Sequence, residues 1–173
     1  LDYVLPEVSE NATLTLKIYN SKGELVRNYS NKKDSLYVKY PGGPSPATLL
    51  GAEKGHNRFL WDMRTDVVSP DVKNVYVFGN YSGYLVSPGT YKAKLDLNGV
   101  ASETDITILG NPNISATAKD WEEQQQVLSS ITASISDIHK NVNDIRKIKK
   151  QLVHQTEILK DNNSAQKVLD EAK

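Results

Sequence analysis

The chain has 173 residues, of which 38% are hydrophobic and 24% are charged, and its 21 acidic side chains balance its 21 basic ones. This composition is typical of globular proteins and excludes an intrinsically disordered chain. A net charge of zero provides no overall field that would attract nucleic acid, and no apolar run approaches the roughly 18 residues of a membrane-spanning helix. The chain contains no cysteine, which excludes disulfide scaffolds and thiolate metal or redox sites. We therefore expect neither nucleic-acid binding nor membrane insertion.

Residues 1–110 show the period-two hydrophobic pattern of β-strands, interrupted by turn residues. Leu14, Leu16 and Ile18 alternate with more polar residues, and residues 21–24 supply a turn in which Gly23 is available for positive φ. Asn98-Gly99 is a strong hairpin signal between two further strands. We predict a β-sandwich of seven or eight strands, of the immunoglobulin-like or fibronectin III-like class, over residues 1–110.

A further strand is predicted around Trp61, because large apolar residues alternate with other side chains there. Phe59, Trp61 and Met63 fall on one face of this predicted strand. Trp61 is the largest of the three. We therefore expect Trp61 to occupy the centre of the sandwich core.

The hydrophobic period changes to that of an α-helix after a linker at residues 111–116. Thr117 and Asp120 have the spacing of a capping box, and neither glycine nor proline interrupts the following segment up to about Lys160. Apolar residues recur mostly in alternating steps of three and four, as in a coiled coil. Trp121 and Ile148 accompany this predicted helix docking seam, which consists of Leu128, Ile131, Ile135, Ile138, Val142, Ile145 and Leu152.

The last residues predict a second helix. Residues 161–164 have turn and N-cap character, and residues 165–173 then resume a helical pattern without a stop signal. We therefore interpret residues 117–173 as a long helix and the start of a return helix, which together would form a truncated antiparallel hairpin. The open pattern at both termini predicts that the chain is a fragment of a longer protein.

The order of several short motifs resembles a known family of domains. LDYVL at residues 1–5, LKIYNSKGELVR at 16–27, GHNRFLWDMR at 55–64 and PGTY at 88–91 resemble the immunoglobulin-like domain of bacterial flagellar hook-capping proteins. With VNDIRKIKKQL at residues 142–152, the chain more closely resembles the C-terminal region of bacterial sortilin-like proteins that carry BNR-repeat β-propellers. Proteins of that kind are often labelled glycosyl hydrolases.

This resemblance implies an accessory domain of a secreted, periplasmic or cell-surface bacterial protein. Any hydrolytic activity of such a parent protein would be expected in the propeller, which this chain lacks. The expected partner is the neighbouring β-propeller of the parent chain, or another protein that binds the helix. Segments 30–54 and 66–85 are longer than the hook-capping pattern requires, so the resemblance does not predict their conformation.

The residues give little support for catalysis. His56, His139 and His154 are scattered along the chain, and we find no Ser-His-Asp order, phosphate-binding glycine loop or recognisable pair of catalytic carboxylates. We therefore expect no enzymatic activity, no cofactor and no metal site. The basic cluster at residues 146–150 is interpreted as a solvated helix face, because acidic residues lie close to it.

An aromatic segment at residues 75–84 is the one candidate ligand site. Tyr76, Phe78, Tyr81 and Tyr84 alternate with Gly, Asn and Ser, a composition typical of adaptable binding loops. A sugar could stack on these rings. Alternatively, Tyr76 and Phe78 belong to another strand, and Tyr81 and Tyr84 pack against a loop.

Two hypotheses for the function follow. The first is a structural and protein-interaction module, whose helix docks on the propeller, on the sandwich or on a partner. The second is a carbohydrate-binding module that uses the aromatic segment. Exposure of the four aromatic rings on one surface would favour the second hypothesis, and their burial would favour the first.

Overall fold

The computed structural model describes residues 1–67, 71–75, 81–161, 167 and 170. Six strands and one long helix are present in these residues, which confirms a mixed class of β-sheet followed by α-helix. The strands are β1 (Asp2–Leu5), β2 (Leu14–Tyr19), β3 (Leu25–Ser30), β4 (Gly55–Arg58), β5 (Gly89–Leu97) and β6 (Val100–Ile108). The helix is α1 (Ala118–Leu159).

Four strands form an antiparallel sheet in the order β3-β2-β5-β6. Central strand β2 alternates as predicted, and the side chains of Leu14 and Ile18 are completely buried. The predicted turn between β2 and β3 is confirmed, because Gly23 has a φ of 79°. The predicted hairpin between β5 and β6 is also confirmed, with Asn98 and Gly99 both at positive φ. Strand β6 forms one edge of this sheet and is exposed along most of its length.

Strands β1 and β4 form a second, two-stranded antiparallel sheet. One hydrophobic core joins the two sheets, because Leu5 of β1 is buried in the same cluster as residues of β2, β3 and β5. The buried members of this core are Leu5, Leu14, Leu16, Ile18, Tyr29, Leu50, Phe59, Tyr91 and Ala93.

The predicted strand around Trp61 is shorter than expected. Strand β4 ends at Arg58, and the chain then turns, with Met63 at a φ of 56°. The Asp62 carboxylate supports this turn by accepting a hydrogen bond from the backbone N–H of Arg64. The prediction that Trp61 is central to the core is therefore wrong. Phe59 is buried in the core, whereas Trp61 is half-buried at its margin, with its ring 5.6 Å from that of Tyr91.

The predicted N-terminus of α1 is confirmed. The Thr117 hydroxyl accepts a hydrogen bond from the Asp120 backbone N–H at 3.2 Å, and the Asp120 carboxylate accepts one from the Thr117 backbone N–H at 2.7 Å. These reciprocal bonds satisfy two amides at the start of the helix. The 42 residues of α1 give it a length of about 60 Å. The predicted return helix lies in a segment that falls almost entirely outside the described residues.

Candidate functional site

A cleft of about 1030 Å³ lies beside β3, between the long connections that follow β3 and β4. Strand β3 contributes Arg27 and Tyr29 to its wall. Several residues between positions 33 and 49, in the connection after β3, also line the cleft, and Tyr37 is one of them. The connection after β4 contributes Asp66 and Asp71. Three tyrosines, Tyr29, Tyr37 and Tyr81, line the cleft, which therefore combines aromatic faces with charged groups.

Next to this cleft, Tyr40 links the segment that follows β3 to the segment that follows β4. Its hydroxyl donates a hydrogen bond to Oδ2 of Asp71 at 2.6 Å. Desolvation at this half-buried position, followed by the Asp71 carboxylate, raises the pKa of Tyr40 well above its ordinary value. The ammonium of Lys73 lies 5.8 Å from the centroid of the Tyr40 ring. The Tyr40 hydroxyl therefore links the two connections through its hydrogen bond to Asp71 at the cleft wall.

Arg27 and Asp66 form a second polar group at the wall. Nε of Arg27 is 3.6 Å from Oδ1 of Asp66, a distance too long for a hydrogen bond. The guanidinium also lies 5.0 Å from the centroid of the Tyr29 ring and donates a hydrogen bond to the Thr65 carbonyl. Burial raises the pKa of Asp66, and the neighbouring Arg27 opposes this shift.

Two buried polar side-chain atoms in the described part of the chain have no hydrogen-bond partner, and both belong to residues that line the cleft. They are Nε of Arg27 and the hydroxyl oxygen of Tyr81. The Tyr81 hydroxyl is close enough to contribute to the raised pKa of Tyr40, but it makes no hydrogen bond of acceptable geometry. Such atoms are rare in folded proteins, because an unpaired buried group loses its hydration without compensation.

Only two of the four rings in the predicted aromatic segment lie within the described residues. Tyr81 is buried, with 7% of its surface exposed, and Tyr84 is half-buried. Tyr76 and Phe78 lie outside the described residues. Tyr81 and Tyr84 therefore do not form an exposed stacking surface. Sequence reasoning missed Arg27, Tyr40, Asp66 and Asp71 as members of one site. Arg27 lies in β3, and the only local signal for the other three was the length of the two connections.

Helix α1 contacts the connection between β4 and β5, and the hydrogen bonds of this contact come from polar side chains of the helix. Gln125 donates a hydrogen bond to the Leu85 carbonyl at 3.1 Å, and Asn143 donates one to the Asp71 carbonyl at 2.9 Å. Between them, the His139 ring lies 6.2 Å from that of Tyr81. Arg146 donates a further bond to the Lys73 carbonyl. Residues 147–159 extend beyond these contacts.

Most of the predicted seam is rotated away from these contacts, although Leu128 lies on the same side of α1 as His139. Successive helix residues are about 100° apart, so Ile138 is rotated by that angle from His139. Ile131, Ile138 and Ile145 have 50%, 59% and 64% of their surface exposed, although each is a large apolar residue. Ile135 and Leu152 are also exposed, whereas Leu128 and Val142 are half-buried. The seam is therefore largely uncovered by the described residues.

The charges on α1 are divided between its two halves. Residues 118–137 carry four acidic side chains and one basic side chain, whereas residues 138–159 carry five basic side chains and two acidic ones. Four of the basic residues fall between positions 146 and 150. The seam consequently runs from an acidic half into a basic half.

The described residues contain no group of three or more acidic or histidine side chains that would hold a metal ion. His56 lies at the surface, with Nε2 3.5 Å from Oδ1 of Asp2, and His154 is exposed on α1. Within the described ranges, no helix combines the length and apolarity needed to span a membrane. Comparison of the chain with protein-family models, curated proteins and solved structures finds no match.

Proposed function

We propose that this chain is a non-catalytic accessory module of a larger secreted bacterial protein, and that it binds a partner protein through α1. The observation that carries this proposal is the exposed seam, because monomeric proteins rarely leave a long continuous apolar surface in water. The two antiparallel sheets share one hydrophobic core. This arrangement supports an immunoglobulin-like sandwich as the scaffold that carries α1. The resemblance to sortilin-like proteins supports the secreted location and the accessory role.

The partner that fits this surface is an amphipathic helix. The alternating spacing of the seam suits interdigitation with the side chains of a second helix. Lys147, Lys149 and Lys150, which are exposed on the C-terminal half of α1, would attract acidic side chains beside the apolar positions of that helix. We therefore propose an acidic amphipathic helix of a partner protein as the occupant. The surface of a neighbouring β-propeller is the competing occupant.

Two synthetic helical peptides test this proposal. Both carry the same apolar heptad positions, but one has glutamate and the other lysine at the flanking positions. Fluorescence anisotropy with the full chain should show at least roughly ten-fold tighter binding of the glutamate peptide, and this preference should decrease with added salt.

Variants of the seam provide the second arm of this test. Ile138→Ser and Ile145→Ser should each weaken binding of the glutamate peptide, because each removes an apolar contact from the seam. Gln151→Ser is the matched control, since Gln151 is exposed on the opposite side of α1. Equal binding of both peptides, or indifference to the isoleucine substitutions, would contradict the helical partner.

Carbohydrate binding on an exposed face of residues 75–84 receives less support. Tyr81 is buried rather than available for stacking, and Tyr84 is only half-buried. The first hypothesis is therefore the one that the described geometry favours.

A further inference from the structure

We infer that, when the partner is absent, α1 pairs with α1 of a second copy of this chain as a parallel two-stranded coiled coil. The pairing surface is a stripe along α1 whose members are separated by alternating steps of four and three residues. All of its side chains are exposed, and they are Val127, Ile131, Ser134, Ile138, Asn141, Ile145, Ile148 and Leu152. Side chains with this spacing lie on one side of a helix and meet those of a second helix in a coiled coil. We call this surface the heptad stripe.

The residue types of the heptad stripe suit a parallel pair. Its a positions, at intervals of seven residues, are Ile131, Ile138, Ile145 and Leu152. Its d positions are Val127, Ser134, Asn141 and Ile148. Because β-branched residues at a favour two parallel strands, the three isoleucines at a favour this arrangement.

The polar residue at the middle of the stripe points to a second copy as the occupant. In a parallel pair in register, Asn141 meets its own counterpart, and the two amides can donate to and accept from each other. An antiparallel pair in which Ile131 meets Ile148 would instead place Asn141 against Ile138. The buried amide would then lack a partner, which costs free energy. A single asparagine of this kind fixes the register of a coiled coil.

The charges beside the stripe favour the same orientation. Asp144 occupies a g position, Lys149 occupies the following e position, and both side chains are exposed. These positions face each other between parallel helices in register, so Asp144 of each copy would pair with Lys149 of the other. In the antiparallel alignment, Asp144 would lie opposite Asp137, and the two carboxylates would repel each other.

The β-sheet region leaves room for this pairing. His139 and Asn143, which lie on the docked side of α1, are rotated by about 100° and about 140° from Ile138. A two-fold axis parallel to the helices therefore places the two β-sheet regions on opposite sides of the helix pair. The heptad stripe can meet its counterpart without a collision between these regions.

Pairing would also regulate the binding of the acidic partner helix, because both occupants need Ile131, Ile138 and Ile145. The glutamate peptide should consequently bind less tightly at concentrations where the chain is paired. This competition rests on the proposed function, whereas the pairing itself does not.

Sedimentation equilibrium of the full chain tests the pairing without any peptide. Over about 1–300 μM the chain should show a reversible equilibrium between monomer and dimer. Ile138→Ser and Ile145→Ser should each weaken this dimer at least about ten-fold. Val153→Ser is the matched control, because Val153 is an aliphatic residue with 62% of its surface exposed that lies outside the heptad stripe, and it should pair as the unchanged chain does.

Single cysteines test the orientation, since the natural chain contains none. Ser134→Cys places a thiol next to its counterpart only in the parallel pair in register, so mild oxidation should join two copies by a disulfide. Ser129→Cys is the matched control, because Ser129 is exposed and is rotated by about 140° from Ser134; it should remain largely unlinked.

A chain that stays monomeric throughout this range overturns the inference, even if it binds the glutamate peptide. Equal cross-linking of the two cysteine variants overturns the parallel register, and so does a trimer or larger assembly. A dimer that is weakened by Ile138→Ser but does not bind the peptide supports the pairing and contradicts the proposed function.

Discussion

Replacing Phe59 by alanine should destabilise the protein more than the same replacement of Trp61. Phe59 is only 4% exposed, and its ring centroid lies 4.6 Å from that of Tyr29. Removal of such a buried aromatic side chain costs about 3–5 kcal/mol. Trp61 lies at the margin of the core, so we expect its removal to cost about 2 kcal/mol. Total stabilities of about 5–15 kcal/mol mean that Phe59→Ala would remove a large fraction of the free energy of unfolding.

Urea denaturation followed by circular dichroism measures both free energies of unfolding. Leu60→Ala is the control, because Leu60 is 82% exposed and its truncation should change the stability by about 0.5 kcal/mol or less. The order of the two aromatic substitutions is the decisive result. If Trp61→Ala were the more destabilising of the two, the assignment of Phe59 to the core and Trp61 to its margin would be refuted.

Further predictions concern the turns, the helix and catalysis. Gly99→Ala should cost about 1 kcal/mol in thermal unfolding, because Gly99 has a φ of 92°. Backbone and side-chain hydrogen bonds from Thr117 lower the pKa of Asp120. The Asp120 carboxylate therefore stabilises the helix fully above the ordinary carboxyl range, and this stabilisation is lost as the pH falls through the lowered pKa. In the Asp120→Asn variant, the corresponding part of the acid-induced loss of helical circular dichroism should be absent. Hydrogen exchange should be faster at residues 147–159 than in the strands unless a partner is bound. Assays with glycoside, ester and peptide substrates should show no hydrolysis; activity that disappears on replacing His56 or Asp62 would contradict a non-catalytic role.

Features held by local interactions were predictable from the sequence. The capping box links residues three positions apart, and the hairpin at Asn98-Gly99 depends on backbone conformations that these two residues readily adopt. The margin position of Trp61 was not predictable from alternation alone. It results from the turn at Met63, a non-glycine residue whose positive φ no simple pattern indicates.

The cleft depends on contacts between distant residues and was therefore missed. Tyr40 and Asp71 are 31 positions apart and lie in segments without hydrophobic periodicity. The docked side of α1 was missed for a different reason. Gln125 and Asn143 donate hydrogen bonds to backbone carbonyls of the connection between β4 and β5, whereas a search for apolar periodicity selects the exposed seam instead.

The exposed edge strand β6 has a consequence for the solubility of the chain. Open strand edges can pair with strands of other molecules, and charged side chains oppose such pairing. Glu103 provides one such charge, and its contacts with Lys92 and Lys94 lower its pKa. The carboxylate therefore keeps its charge in moderately acidic solution and loses it only under stronger acid. At that point the edge loses one negative charge, but the other carboxylates are protonated as well, so the 21 basic side chains leave a large positive charge that keeps the molecules apart.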